Sequence, residues 1–370
     1  MISGDGFQAV GLVGPREDAL NVFRRKKMRA AHGIRAHKDL RRFLGHVRGA
    51  GHGAGGVAHD NEPVVLHQDH RRQHAFLVHE RLEAEEILRY AGQFEGTICG
   101  DDRYNADVIK ACLPALKVIS KWGTGIDSID KQAAEAMGVR VMNTPNAFTV
   151  PVSESVLCSI LNFARRQPWM DRSMKNGIWD KIPGHTLSES TIGVVGVGNI
   201  GKAVLRRARA FGMKLLGNDI IEIEPDFLIE NGVEMTTLED LLRRADYISL
   251  NPSLTPSSYH LINAETLRLV KPTAVLVNAS RGPVVHEAAL VEALQQGRLR
   301  GAALDVFEKE PLPADSPLLQ MDNVMLSPHN TNSSPFYWER IHWNTLRNLL
   351  IGLNIPTGDI DSLKALEKQA

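Results

Sequence analysis

The sequence has few cysteines, no excess of charge of either sign and no long apolar run, and each absence narrows its class. Its three cysteines are widely spaced along 370 residues, unlike the close spacing of a disulfide framework. Basic and acidic side chains number 43 each, so net charge gives no reason to expect nucleic-acid or membrane binding. No apolar run approaches the roughly 20 residues of a membrane-spanning helix. We therefore expect a cytoplasmic protein with no membrane or nucleic-acid partner.

The first 79 residues differ in composition from the rest of the chain. Nine of the fourteen histidines lie in this segment, among many arginines, glycines and alanines. Apart from QAVGLVG and PVVLH it shows little helix or strand periodicity, and we expect it to be poorly ordered. There are three alternatives to a poorly ordered segment. It could be a basic tail that binds an anionic partner, a histidine metal site, or an artefact of the start site or reading frame. Irregular spacing and the lack of nearby cysteines argue against the metal site, so we predict none.

Strand and helix patterns alternate from residue 76 onward. A first set of three apolar strands is predicted at 94–100, 116–123 and 139–145. Apolar residues then recur at helical spacing over residues 150–179, which predicts one long helix that links two domains. A second set of strands is predicted at 191–197, 214–219, 247–253, 274–280, 301–307 and 324–329. Continuous apolar strands separated by helices indicate a parallel sheet covered on both faces, a doubly wound α/β domain.

The stretch TIGVVGVGNIGKAV, which starts at Thr191, joins the first strand of this second set to a helix. Gly196 permits the tight turn, Gly198 lets the backbone approach a pyrophosphate, and Gly201 lets the helix pack on the strand. The helix amides near Asn199 and Ile200 attract the phosphates. A glycine pattern between a strand and a helix is the context required for dinucleotide binding.

Asp219 selects between the two nicotinamide dinucleotides. It ends the next strand, 18 residues past Gly201, where a carboxylate can accept hydrogen bonds from the adenosine ribose. Its charge would repel a 2′-phosphate, and the following IIEIEPD contains no basic residue. The sequence therefore predicts NAD as the cofactor rather than NADP.

Open α/β sheets bind ligands outside the carboxyl ends of their strands. The polar residues at those ends are Asn251 and Thr255, Ser280 and Arg281, Asp305 and Glu310, and His329. Arg281 can bind a carboxylate through two hydrogen bonds. His329 can exchange a proton with a carbonyl or hydroxyl oxygen, and Glu310 can hold the imidazole and favour its charged form. Together these side chains indicate hydride transfer between the dinucleotide and a 2-keto acid.

The motifs GVVGVGNIGKAVLRRARAFG, VNASRGPVV, AALDVFEKEPLP and LSPH resemble those of the D-isomer-specific 2-hydroxyacid dehydrogenases, in particular the branch like phosphoglycerate dehydrogenase. KVISKWGTGIDSID and VRVMNTPNAFTVPVSE are similar to that family's substrate-domain loop and hinge, so the resemblance covers roughly residues 80–352. It implies that Arg281, Glu310 and His329 are catalytic. It also implies that the Thr124 and Gly125 amides bind the substrate carboxylate, and that Asp305 and the Ala279–Arg281 segment contact the nicotinamide half of NAD.

The resemblance further implies a Rossmann-type NAD domain with a smaller, discontinuous, flavodoxin-like α/β substrate domain. We expect the substrate domain at 80–148 and 328–353, the NAD domain at 149–327 and a tail at 354–370. The returning segment has an amphipathic face formed by Trp338, Ile341, Trp343, Leu346, Leu349 and Leu350. Members of the family are homodimers with the active site between the two domains.

Two departures from the family pattern leave the identity of the substrate undetermined. The family's first strand–helix unit has no convincing counterpart before residue 80, and in the GDDRY loop only Arg103 could supply a positive charge. The candidate substrates are 3-phosphoglycerate, the pair glycerate and hydroxypyruvate, and similar acids. There are two alternatives to an active enzyme. One is an NAD-sensing binding protein like the corepressors built on this fold, and the other is a product inactivated by its unusual N-terminus.

Overall fold

The computed structural model describes residues 82–357 and three short strands before them. These strands are β1 (Val10–Gly11), β2 (Val64–His67) and β3 (Gln73–Leu77), which form an antiparallel sheet in the order β1-β3-β2. The first two strands lie within QAVGLVG and PVVLH. The rest of residues 1–81 and residues 358–370 lie outside the described residues, and so do the predictions of poor order, a basic tail and a histidine cluster that concern them.

Ten strands form the two parallel sheets that organise the chain after residue 82. In chain order they are β4 (Gly96–Cys99), β5 (Val118–Lys121), β6 (Arg140–Met142), β7 (Thr191–Val195), β8 (Lys214–Asn218), β9 (Val233–Met235), β10 (Tyr247–Leu250), β11 (Val275–Asn278), β12 (Gly301–Leu304) and β13 (Val324–Leu326). All nine predicted strands are confirmed. The tenth, β9, was not predicted, because its three residues alternate over too short a stretch to be distinguished from a loop.

Helices connect these strands throughout. In chain order they are α1 (Ala84–Leu88), α2 (Ala106–Ala111), α3 (Lys131–Ala136), α4 (Thr149–Arg165), α5 (Gln167–Lys175), α6 (Asn199–Ala210), α7 (Pro225–Asn231), α8 (Leu238–Arg244), α9 (Ala264–Leu267), α10 (Glu287–Gln295) and α11 (Pro335–Gly352). Within the described part of the chain, none of these helices has the length and apolar character needed to cross a membrane.

The chain divides into two compact units. One extends to Ala147 and resumes at Ser334, and the other runs from Phe148 to Ser333. The second boundary thus follows His329, whereas the predicted substrate domain resumes at residue 328. The segment from His329 to Ser333 is tied to the second unit because its backbone hydrogen-bonds to Asp305.

The first unit is built on the parallel sheet β4-β5-β6. Helix α11 packs on this sheet, and the residues that it buries include Ile341, Leu346 and Leu349, as the amphipathic pattern predicts. At Gly352 the helix approaches β5 so closely that an added Cβ would lie 2.3 Å from a methyl group of Val118. The returning helix therefore completes the core of this sheet.

The second unit contains a seven-stranded parallel sheet in the order β13-β12-β11-β10-β7-β8-β9. The chain starts in the middle at β7, moves outward through β8 and β9, and returns at β10 to build the other half. The strand order reverses between β7 and β10, which is where doubly wound sheets bind their ligands. The predicted doubly wound α/β fold is confirmed.

The prediction of one long helix across 150–179 was wrong, because the helix breaks at Arg166. This residue has a left-handed backbone (φ 58°) and separates α4 from α5. Pro168 lacks an N–H and its ring would collide with the carbonyl of Ala164 in a continuous helix. That carbonyl instead accepts a hydrogen bond from the N–H of His185 at 3.1 Å.

Candidate active site

The predicted nucleotide turn lies at the carboxyl end of β7, and two of its glycines are required by close contacts. Gly196 has a φ of 86°, and a Cβ there would lie 2.6 Å from the Pro252 nitrogen. A Cβ on Gly201 would lie 2.1 Å from the carbonyl oxygen of Gly196. An added Cβ on Gly198, by contrast, would meet no protein atom within 4 Å. The first and third glycines thus serve packing, and the second borders open space.

This open space fits the pyrophosphate of a dinucleotide. Gly198 is the N-cap of α6, and the next amides belong to Asn199, Ile200 and Gly201. The first N–H groups of a helix have no partner within the helix and carry its positive partial charge. A phosphate beside Gly198 could accept hydrogen bonds from these amides without displacing any side chain.

Asp219 follows β8 and lies beside the glycine turn. Its Oδ2 accepts a hydrogen bond from the N–H of Val197 at 2.6 Å, and its Oδ1 accepts from Ile220 and Ile221 at 2.7 and 3.2 Å. Each carboxylate oxygen has two lone-pair sites, so this arrangement leaves acceptor capacity for ribose hydroxyls. The sequence did not anticipate that Asp219 also anchors the turn through Val197.

Asn251 and Thr255 begin the loop that follows β10, the strand that pairs with β7, so this loop starts beside the glycine turn. The Asn251 amide donates to the Ser249 carbonyl and hydroxyl at 3.2 and 3.0 Å, which fixes its side chain at the strand end. Thr255 is exposed, and its N–H donates to the hydroxyl of Ser258 at 2.8 Å. Both residues lie on the side of the switch point where the nicotinamide half of a dinucleotide would extend.

The segment Ala279–Ser280–Arg281 follows β11. The side chain of Asn278 fixes it through hydrogen bonds of both its oxygen and its amide group. The Asn278 oxygen accepts hydrogen bonds from the Ser280 N–H and hydroxyl at 3.1 and 2.9 Å, and its amide donates to the Arg281 carbonyl at 3.0 Å. The Arg281 guanidinium donates to the Ser280 carbonyl at 2.9 Å. The arginine side chain is thereby anchored at the edge of the sheet.

Asp305 is 2% exposed at the end of β12, and the loop that carries His329 surrounds its carboxylate. Its Oδ1 accepts from the Ser327 hydroxyl at 2.5 Å and the Asn330 N–H at 2.8 Å. Its Oδ2 accepts from the Thr331 hydroxyl and N–H at 2.7 and 3.1 Å. Since four donors converge on one buried carboxylate, Asp305 determines the shape of the 327–331 loop.

His329 and Glu310 are brought together as the sequence predicts. The imidazole Nδ1 lies 2.8 Å from Glu310 Oε2, while Glu310 Oε1 accepts a hydrogen bond from the N–H of Phe307 at 3.0 Å. His329 has a left-handed φ of 51°, and its N–H donates to the Asp305 carbonyl at 2.7 Å. A strained backbone at a histidine beside a carboxylate is typical of a functional site.

Thr124 and Gly125 follow β5 in the first unit, on a loop that is supported by the neighbouring strand end. The Thr124 hydroxyl donates to the Thr144 carbonyl at 3.1 Å, and the Asn143 amide donates to the Thr124 carbonyl at 2.6 Å. Gly123 has a φ of 129°, which only glycine adopts readily. The turn is therefore rigidly placed at the carboxyl edge of its sheet.

Sequence reasoning missed a second cluster of polar side chains in the nucleotide-binding unit. No sequence pattern links His260 or His286 to a partner. In the structure the His260 ring lies 4.6 Å from that of His286 and contacts Glu308, which is two residues before Glu310. Glu308 is visible in EKEP as a second acidic residue, but only tertiary contacts identify its partner.

Comparisons with known proteins agree with this geometry. Residues 157–331 match the family model described as "D-isomer specific 2-hydroxyacid dehydrogenase, NAD binding domain". The chain is 42% identical over 239 residues to a glyoxylate reductase of Korarchaeum cryptofilum, an alignment that spans 63% of this chain and 71% of that protein. It is 43% identical over 222 residues to a D-3-phosphoglycerate dehydrogenase of Methanocaldococcus jannaschii, spanning 59% of this chain but only 42% of the other.

The fold is also similar to solved structures. A D-lactate dehydrogenase of Aquifex aeolicus, complexed with NAD and lactic acid, superposes with a TM-score of 0.69 at 28% identity, covering 76% of this chain and 89% of that one. The glycine turn, the Asp219 carboxylate and the His329–Glu310 pair therefore lie in a fold shared with NAD-dependent enzymes. The chain belongs to the D-isomer specific 2-hydroxyacid dehydrogenase family and is an NAD-dependent D-2-hydroxyacid dehydrogenase.

Proposed function

We propose that this enzyme interconverts a short, unphosphorylated 2-keto acid and the corresponding 2-hydroxy acid, with His329 and Glu310 as the acid–base pair. The observation that carries this proposal is the 2.8 Å contact between the two side chains at neighbouring strand ends. When bound, NAD supplies the hydride acceptor, and NADH the donor. The protein must then bind the acid, orient its carbonyl and move one proton.

Proton transfer is assigned to Nε2 of His329. Because Nδ1 faces the Glu310 carboxylate, Nε2 is the ring nitrogen turned toward the other side of the imidazole. In reduction the charged imidazole donates its Nε2 proton to the carbonyl oxygen, and in oxidation the neutral ring removes the hydroxyl proton. Glu310 stabilises the charged imidazole through the Nδ1–H and keeps the ring orientation fixed. A positioned acid of this kind contributes about 10²–10⁴-fold to the rate.

Arg281 and the Thr124–Gly125 backbone are assigned to the substrate carboxylate. A guanidinium binds a carboxylate through paired hydrogen bonds, and the amides of a glycine-flanked turn add further donors. The hydrogen bonds of the Arg281 guanidinium to Ser280 and of Thr124 to Thr144 hold both groups in place before substrate arrives. We expect Asn251, Thr255, Ala279 and Ser280 to line the nicotinamide side, and Asp219 to bind the adenosine ribose.

The charge of the β4 loop favours an unphosphorylated acid. Lys121 is 3% exposed, and its ammonium donates to the Gly100 carbonyl and lies 2.6 Å from Asp101 Oδ1. Asp102 is fully buried and accepts hydrogen bonds from the N–H groups of Leu82 and Gly100. In this part of the described chain the lysine charge is already balanced, so Arg103 alone could attract a phosphate. Glyoxylate or hydroxypyruvate fits this loop better than a phosphorylated acid.

We also propose that the enzyme is a homodimer, as its family resemblance implies. The segment after α5 exposes two large apolar side chains in sequence, Ile178 at 56% and Trp179 at 78%. A second copy of the chain would remove this surface from water. Light scattering is expected to give twice the 40.8 kDa chain mass, and a monomer at micromolar concentration would contradict the dimer.

NADH oxidation at ~340 nm, the cofactor's own absorbance, tests the catalytic proposal with glyoxylate, hydroxypyruvate, phosphohydroxypyruvate and pyruvate as substrates. We expect turnover with one of the unphosphorylated acids and its loss in His329→Ala, with NADH binding retained. A preference for phosphohydroxypyruvate would contradict the assignment of substrate. NADH binding without any turnover would instead favour an NAD-sensing binding protein, and absence of both would indicate an inactive product.

A further inference from the structure

A second histidine–glutamate pair, His260 and Glu308, includes a residue of the loop that carries Glu310. His260 Nε2 is 2.6 Å from Glu308 Oε1, and the two side chains are only 25% and 34% exposed. A carboxylate can only accept, so the imidazole N–H is the donor. Glu308 is two residues before Glu310, and His260 lies on the segment that follows β10. This pair therefore joins two of the loops at the carboxyl edge of the sheet.

The His260 backbone joins a third loop to this pair. Its N–H donates to the Pro283 carbonyl at 2.8 Å, two residues after Arg281. The residue has a φ of 49°, a left-handed conformation that is uncommon for a histidine. Its ring is enclosed by Tyr259, whose centroid lies 4.0 Å away, and by the edge of His286 at 4.6 Å. Both the main chain and the ring of His260 are thus held in one arrangement.

The loops after β11 and β12 also touch directly, beside the proposed catalytic residues. A Cβ on Gly282 would lie 1.9 Å from the carbonyl carbon of Phe307, so the backbones of these two loops are in van der Waals contact. Phe307 in turn donates its N–H to Glu310 Oε1. A shift of the Phe307–Glu308 peptide would consequently move the backbone beside Arg281 and the carboxylate that holds His329.

We propose that His260 is a positioning residue that fixes Arg281 relative to the Glu310–His329 pair. Its N–H bonds to the loop of Arg281 and its imidazole to Glu308 on the loop of Glu310, so one residue links the two loops beside their direct contact. The inference rests on the proposed roles of Arg281, Glu310 and His329. His260 itself acts only through these loops.

Glu308 also contacts Glu287, and the test must separate this contact from the proposed role of His260. Its Oε1 also accepts from the N–H of Glu287 at 3.3 Å, and its own N–H donates to Glu287 Oε2 at 3.2 Å. These contacts attach Glu308 to the first turn of α10. If they alone place the loop, loss of the His260 ring will lower stability without changing how the substrate is bound and protonated.

The central variant is His260→Asn, because asparagine tolerates the left-handed backbone but is too short to reproduce the Nε2 contact. We expect kcat to fall and the KM of the keto acid to rise, lowering kcat/KM at least tenfold. The NADH dissociation constant should change less than twofold, since the glycine turn and Asp219 follow other strands. His260→Gln, which can place an amide N–H near the Nε2 position, should restore part of the loss.

The matched control is His185→Asn. His185 Nε2 lies 2.7 Å from the Tyr247 hydroxyl, so this variant also loses one histidine contact, but at the amino end of β10, away from the loops. Its kinetic constants should stay within twofold of the wild type. Glu308→Ala, which also loses the bond from the Glu287 N–H, should cost at least as much as His260→Asn, and the double variant should be no worse than Glu308→Ala, because the His260 contact is already absent there.

Hydrogen exchange gives a measurement that does not depend on turnover. His260→Asn should accelerate amide exchange in both 281–286 and 306–310, whereas His185→Asn should leave both segments unchanged. Kinetic constants for His260→Asn that match the control, or unchanged exchange in either segment, would overturn the proposal. A wild-type enzyme that reduces no keto acid would contradict the proposed function instead, and the exchange result would still decide whether His260 links the loops.

Discussion

The Nδ1 of His329 lies 2.8 Å from Oε2 of Glu310, and the same carboxylate accepts the N–H of Phe307 through Oε1. Glu310 therefore has both oxygens engaged, one on the backbone of its own loop and one on the imidazole. This arrangement fixes the ring plane, and in the proposed mechanism it leaves Nε2 to carry the reacting proton.

Replacement of Glu310 by Gln should change the pH profile of keto-acid reduction. The amide can still bond to Nδ1 but does not stabilise the charged imidazole, so the acid form of His329 persists only to a lower pH. We expect the decline in kcat at high pH to begin at a lower pH, and kcat at neutral pH to fall about 10–100-fold. A profile that keeps its wild-type position would refute the pairing of these side chains during catalysis.

Replacement of Asp305 by Asn should disturb both stability and catalysis. Each oxygen of the buried carboxylate accepts one hydroxyl and one backbone N–H, so two of the four donors would face the new amide N–H groups. The hydroxyl can rotate to accept, but the backbone N–H cannot, and an unsatisfied buried donor costs about 1–3 kcal/mol. The 327–331 loop and His329 would then be less well placed, so kcat should fall with the unfolding free energy. Urea unfolding and steady-state kinetics measure the two effects.

Asp246→Asn is the control for this experiment. Asp246 accepts the N–H of Thr191 and pairs with Lys271 at 2.9 Å, at the amino edge of the same sheet. It should lower stability without lowering kcat. Equal losses of kcat in both variants would show that Asp305 matters through stability alone.

Alanine at two glycines of the nucleotide turn should separate folding from cofactor binding. Gly198→Ala adds a methyl group that meets no protein atom, so the melting temperature without cofactor should stay near the wild-type value. The same methyl group would lie in the space assigned to the pyrophosphate, and the NADH dissociation constant should rise at least about tenfold, or 1.4 kcal/mol. Fluorescence titration with NADH measures this change.

Gly201→Ala is the contrasting variant, because its methyl group would lie 2.1 Å from the Gly196 carbonyl oxygen. It should lower the melting temperature as well as NADH affinity. Unchanged NADH affinity in Gly198→Ala would exclude the pyrophosphate from this position.

The three cysteines should differ sharply in reactivity. Burial raises the pKa of the Cys99 and Cys112 thiols, which keeps them protonated and unreactive at pH 8, whereas Cys158 is exposed on α4. Only the thiolate is an effective nucleophile. We expect one rapidly alkylated thiol in the native protein, three after denaturation and none in native Cys158→Ser. Rapid modification of two thiols in the native wild type would contradict the burial of Cys99 or Cys112.

The sequence by itself determined the strand–helix alternation, the nucleotide turn and the polar residues at the strand ends. These features depend on local patterns: apolar runs, glycines at fixed spacing and the position of a residue just after a strand. Such patterns also indicated the amphipathic face of α11, because helical spacing is local. They did not indicate β9, whose three residues form a strand only because β8 offers an unpaired edge.

Only the tertiary structure decided how the site residues are held. The convergence of four donors on Asp305, the contact of Gly282 with Phe307 and the pairing of His260 with Glu308 all join residues from different loops. Such contacts form because the ends of parallel strands lie side by side in the sheet. A local sequence pattern does not show which strands are neighbours. The break at Arg166 differs from these contacts, because it follows from the local steric conflict of Pro168 with the helix before it.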